Sequence, residues 1–253
     1  MALGTFRLAG WQQGPTGCGQ GGLSAYLFSQ IVDRAEAQVP TAGDQPLSIR
    51  LHAPIPLETD LMVGQDDAGR FTTTAPGAEP GDIDRLILSG APTEFVSHHP
   101  TAIAVADARA ARERTIVRLD EHAVPDCFSC GINERSMRVH PGLLDDGRLA
   151  TDLTPPSWTL TDDGLVEPWV FWAALDCAAG FYAAAIPEER HAVTANYQVK
   201  MHRTQIEPET YAVVAFAIGE EWDGRRRWTA SAAFDGTGAL VAEATSLWIA
   251  VED

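Results

Sequence analysis

Lysine is nearly absent from this 253-residue chain: Lys200 is the only one, and the other 17 of the 18 basic residues are arginine, set against 35 acids. The formal charge of −17 argues against a nucleic-acid partner, whose phosphates must be neutralised by Lys and Arg before affinity is appreciable. Arginines do gather at Arg109 to Arg118 and at Arg225 to Arg227, and two roles are open to them, solvated surface or the seat of one phosphate-bearing small molecule. Long apolar runs are also missing, so neither a membrane span nor a signal peptide is expected. The four cysteines, Cys18, Cys127, Cys130 and Cys177, then point to a reducing compartment, and a cytoplasmic location is expected. Only one Cys-x-x-Cys occurs, at Cys127 and Cys130. Structural zinc takes four ligands, so no metal is expected, although Cys18, Cys177 or a histidine remain as further donors.

What is present is an order of elements that runs twice. In the second half, residues 168–185 form an Ala-rich apolar stretch with Pro168 suited to a first helical turn, which predicts a helix buried nearly all round. Strands are predicted near 192–202, 209–220, 226–235 and 239–251, with alternation at Val193, Ala195, Tyr197 and Val199 and a turn at Asp235-Gly236-Thr237-Gly238. The first half repeats this more weakly, with a helix over 22–38 after a glycine-rich turn and strands near 47–54, 59–66, 69–75 and 84–97. A local echo supports duplication: His52 precedes Ile55-Pro56-Leu57-Glu58-Thr59, and His202 precedes Ile206-Glu207-Pro208-Glu209-Thr210. Between the halves, 100–118 reads as an Ala/Arg-rich linker helix.

Three segments resemble the hotdog-fold thioesterase superfamily in its double-hotdog form. Cys127-Phe128-Ser129-Cys130-Gly131-Ile132-Asn133 is similar to the Cys-x-x-Cys-Gly-x-Asn opening of many small thioesterase-like domains. Leu175-Asp176 is similar to the acid-bearing part of the family's helix. The runs Val193 to Arg203 and Leu240 to Thr245 resemble the strand after that helix and the last strand. The resemblance implies an α+β double hotdog, two antiparallel sheets each wrapped around a long central helix. Its first domain would be 1–120 with the linker helix, and its second 121–253. It also implies an acyl-CoA or acyl-carrier thioester as substrate, an active site between the copies, and possible further pairing of chains through the sheets. No cofactor is implied, coenzyme A entering only as part of the substrate.

Thioester hydrolysis needs a carboxylate to attack the carbonyl or activate water, and donors aimed at the developing oxyanion. Asp176 sits in an otherwise apolar helix, where it is either a buried base with a raised pKa or an acid on an exposed or Arg-paired edge. Donors are commonest at helix N-termini. The family's His-Gly-Gly turn is matched by Gln20-Gly21-Gly22-Leu23 in the first half, whereas the second half has Glu167-Pro168-Trp169-Val170, with no glycine and a proline that lacks an N–H. Aligning the helices by that turn sets Ser29 opposite Asp176, with Gln30 and Asp33 close by. One complete site is therefore expected, joining the Gly21, Gly22 and Leu23 amides and the Gln20 side chain to Asp176. Gly21, Trp169, Trp172 and Arg203 are the candidate substrate contacts, with His191 and His202 near the pocket. The helix aromatics are either core or the border of an acyl tunnel. Hydrolysis by water activated at Asp176 is the first reading; a non-catalytic acyl or acyl-CoA binding protein with a degenerate site is the alternative.

Overall fold

The computed structural model describes residues 2–36, 46–77, 85–98, 100–118, 122–185, 191–219 and 224–251. The ends of three expected elements, residues 37–38, 84 and 220, lie outside these, as does the side chain of His191.

The first half comprises β1 (Ala2–Phe6), α1 (Gly21–Glu36), β2 (Leu47–Leu51), β3 (Leu61–Gln65), β4 (Phe71–Thr74) and β5 (Leu86–Pro92). After α2 (Val105–Glu113) come β6 (Gly142–Leu143), β7 (Leu149–Leu153), α3 (Trp169–Ala185), β8 (His191–Met201), β9 (Tyr211–Ala217), β10 (Arg226–Phe234) and β11 (Leu240–Val251). Every pairing between them is antiparallel. The strands stand in the order β1-β3-β4-β5-β2-β8-β11-β10-β9-β7-β6. Strand, helix, then four strands thus recurs in both halves, with the same spatial permutation on either side of the β2–β8 seam. The expected two sheets are one continuous sheet of 11 strands, because the edge strands β2 and β8 pair at Ile49↔Tyr197 and Arg50↔Asn196.

α1 and α3 pack against each other over this sheet. The burial of α3 follows from its composition: Val170 through Ala179 are all buried, with alanines letting helix and sheet approach closely. α2 covers the other face of the second half. Its Ala108 and Ala111 pack with Ala150, Ala212 and Val214, while Tyr211, Val213 and Ala215 of β9 face the main core. β7 is consequently buried at every residue, including Asp152, whose carboxylate takes Arg109 Nε and Arg112 Nη1 at 3.1 Å each. Those two arginines are ion-paired within the fold. No helix among the described residues is long and apolar enough to cross a membrane.

Candidate active site

The seam places the N-terminus of α1 beside the middle of α3. Asp176 is 3% exposed. Its Oδ2 accepts hydrogen bonds from Gln20 Nε2 at 2.7 Å and from the Gly22 N–H at 3.0 Å, and its Oδ1 accepts one from Thr194 Oγ1 at 2.9 Å. Gln20 serves two masters, since its Oε1 accepts the Leu23 N–H at 2.7 Å and so caps α1. That pair of bonds fixes which end of the amide faces Asp176. Gly22 is where the helices nearly touch: a Cβ there would lie 2.3 Å from the Trp172 carbonyl oxygen.

Burial pushes the Asp176 carboxyl up from 3.8 to about 7, against the downward pull of the Thr194 and Gly22 hydrogen bonds. A carboxylate poised there can exchange a proton near neutral pH. It lies on the wall of a cavity of about 580 Å³ between the halves, lined from one side by Gln20, Gly21 and Ile55 and from the other by Thr194, Phe181 and Trp248. The walls are mostly apolar. His52 also reaches the cavity, where its Nε2 lies 2.8 Å from Ser89 Oγ and burial lowers its pKa.

The structure therefore brings together Gln20, Gly21, Gly22, Leu23 and Asp176, five of the residues singled out in the sequence. Two of the amides are already engaged inside the chain, Gly22 with Asp176 and Leu23 with Gln20. The Gly21 N–H has no acceptor among the described residues. The other candidates lie elsewhere. Trp169 stacks on Trp158 and meets Phe128 edge-on, and Trp172 is wedged between Tyr26 and Tyr197. Arg203 pairs with buried Asp235 at 2.6 Å, and His202 Nε2 lies 2.9 Å from Glu243 Oε1. None of these four lines the cavity. Ser29 Oγ donates to Tyr26 O within its own helix.

Sequence reasoning did not single out Thr194, a threonine in a strand that looks like any β-branched residue there. It also set the cysteines aside, yet Cys127, Cys130 and Cys177 all lie on the cavity wall.

No family model matches the sequence, and no curated protein does. Among solved structures, a Lactobacillus plantarum protein assigned as an oleoyl thioesterase is similar over 98% of this chain and 96% of its own, at 7% identity and a TM-score of 0.56. A protein of unknown function with the hot dog fold from Alicyclobacillus acidocaldarius is similar over 98% and 93%, at 13% identity and a TM-score of 0.54. At such identities the likeness speaks to the fold alone, and with the strand order above it gives this chain the hot dog fold in two copies.

Proposed function

We propose that the chain is an internally duplicated hot dog enzyme that hydrolyses the thioester of an apolar acyl group. The carrier in this reading is coenzyme A or an acyl-carrier protein, and the copies are 1–120 and 121–253. The observation that carries the reading is the position of Asp176: a buried carboxylate at the wall of an apolar cavity, tethered by the glycine turn of the opposite half.

Water held beside Asp176 gives up a proton to the carboxylate as its oxygen attacks the thioester carbon. The oxyanion that forms is met by the Gly21 N–H and the positive end of α1. When the tetrahedral species collapses, the C–S bond breaks and the sulfur leaves with the proton that Asp176 holds, restoring the carboxylate. Gln20 and Thr194 hold the base in place and touch no reacting atom. A carboxyl whose pKa lies close to neutrality suits both proton transfers. The acyl tail lies along Ile55, Phe181 and Trp248. A reducing, cytoplasmic setting and further pairing of chains through the sheet edges β1 and β6 belong to the same reading.

The test is hydrolysis of an acyl-CoA panel from acetyl to palmitoyl, with aromatic acyl groups included, followed by a thiol reagent. Turnover well above the buffer rate with a preference for apolar acyl groups is expected. A silent panel in which the same thioesters still raise the melting temperature would replace this reading with that of a non-catalytic acyl binder.

A further inference from the structure

We propose that Cys127, Cys130 and Cys177 form a binding site for one thiophilic cation, Zn²⁺, with its fourth coordination position turned to the cavity.

Three features carry this. The first is distance. The three Sγ atoms all lie within 4.8 Å of one another, and Cys127 and Cys177 are 3.9 Å apart. Two sulfurs sharing a zinc at the usual bond length of about 2.3 Å stand roughly 3.8–4.0 Å apart, so a small closing movement brings all three onto one ion.

The second is the loop that presents the first pair. It turns so tightly that the Cys130 N–H points at Cys127 Sγ at 3.5 Å and the Gly131 N–H at Cys127 O at 2.7 Å. A Cβ on Gly131 would lie 2.4 Å from both Cys127 O and Pro125 O, so the turn requires glycine. The loop is clamped from outside as well. Asn133 Nδ2 reaches the Pro125 and Cys127 carbonyls, and the ring nitrogens Nε2 of His122 and His140 lie 2.7 and 2.9 Å from Cys130 O. Both histidines are thus engaged in holding the loop, leaving the sulfurs as the donors. Such pre-ordering removes part of the entropic cost of gathering ligands.

The third is chemistry and access. All three cysteines line the cavity, which supplies an entry path and room for an exogenous fourth ligand. Three protein ligands with one open position is the arrangement of zinc sites that admit a small molecule, and thiolate donors select zinc among the common divalent ions. Binding forms three Zn–S bonds, releases to solvent the protons that the thiols still carry, and changes no oxidation state.

The sequence argument against a metal counted cysteines in pairs. The fold supplies the third from α3, 47 positions away in the chain from Cys130.

The inference is independent of the thioester reading, because ion binding is read by spectroscopy and not by turnover. The full chain, reduced and stripped with chelator, is titrated anaerobically with Co²⁺ as a coloured stand-in for Zn²⁺. One Co²⁺ per chain is expected, with a strong thiolate-to-metal charge-transfer band that Zn²⁺ bleaches. Cys130→Ser and Cys177→Ser each abolish or sharply weaken the band, and Cys18→Ser keeps it. Folding of each variant is checked by circular dichroism. Should a serine variant not fold, the native chain still decides: a folded, reduced protein that shows no charge-transfer band in excess Co²⁺ overturns the proposal. So does a full-strength band in folded Cys177→Ser, or a disulfide among these cysteines in the protein as isolated.

Discussion

Replacing Asp176 with Asn should abolish turnover and, at alkaline pH, make the protein more stable. The side chains are nearly the same size, and the hydrogen bonds can be kept. The amide oxygen takes the place of Oδ2 beneath Gln20 and Gly22, and the amide nitrogen donates to Thr194 Oγ1, which turns from donor to acceptor. What is lost is the charge. Burial raises the folded-state pKa from 3.8 to about 7, so the folded chain holds a proton that the unfolded chain has released across that interval. Stability from this group is full below about pH 4, falls as pH rises, and is gone above about pH 7. The difference of about three units corresponds to roughly 4 kcal/mol, or a melting shift of roughly 10 °C for a chain of this size. On chelator-treated protein, wild type and Asp176→Asn should melt within a few degrees of each other near pH 4.5. By pH 8 the variant should melt well above the wild type. Loss of a general base costs roughly 10²- to 10⁴-fold in rate, so kcat on the preferred thioester should fall by that factor with ligand binding retained. A melting gap that stays constant from pH 4.5 to 8 would sink the account of Asp176 as a costly buried acid. Activity within a few-fold of wild type would remove it from the chemistry.

Thr194→Val removes the hydroxyl that steadies ionised Asp176, so the acidic limb of the kcat/KM profile should move to higher pH; a limb that does not move would deny Thr194 its part in setting the pKa. Gly22→Ala forces a methyl to within 2.3 Å of the Trp172 carbonyl, and urea unfolding should show a loss of at least roughly 1–3 kcal/mol, where a neutral effect would mean that the helices do not meet so closely. Arg203→Ala should leave KM unchanged within about twofold, because Arg203 faces Asp235 and lies off the cavity; a large rise in KM would restore it as a substrate contact. Calorimetry with a non-hydrolysable thioether analogue should give one ligand per chain, and a stoichiometry of two would mean that the related position in the other half also binds.

Much of the secondary structure was legible because its signals are local. The alanine run of α3 and the alternation in β8 each announce an element from within a few residues. β1, β6 and β7 were missed, the last two for physical reasons. Leu149–Leu153 is buried on both faces by α2 and α3, so its sequence carries no alternation, and Gly142–Leu143 is too short to carry any pattern. The single sheet was not legible either, since it depends on two residue pairs across the β2–β8 seam that no local pattern specifies. Within the site, Asp176 stood out because charge in an apolar helix is costly, and the glycine turn stood out by its composition. Trp169 and Trp172 drew attention by size, yet a large aromatic in a helix packed on all sides usually serves the core, as these two do. Cys177 was one of several further donors open in the sequence, and only α3 laid beside the loop that carries Cys127 and Cys130 singles it out.

The asymmetry between the halves follows from one packing constraint. α1 and α3 can approach closely enough for the Gly22 N–H to reach Asp176 only if the contact carries no side chain on one partner, and Gly22 meets that condition from α1. The same closeness is not available in the reverse sense. The start of α3 bears Pro168, which has no N–H, and Trp169, whose ring packs away against Phe128 and Trp158. At the matching position α1 carries no acid, the nearest being Asp33 one turn on: Phe28 is fully buried, and the Ser29 hydroxyl turns back onto its own helix. Tyr197 then donates to the Trp172 carbonyl, the same oxygen that a Gly22 side chain would strike, so the backbone that shapes the site is braced from the second half. A duplicated chain is free to diverge in this way because each copy needs only one of the two parts, provided that the seam holds them in register. Restoring an acid at Ser29 alone would therefore create no second site, since the start of α3 lacks the glycine turn whose N–H groups would serve it.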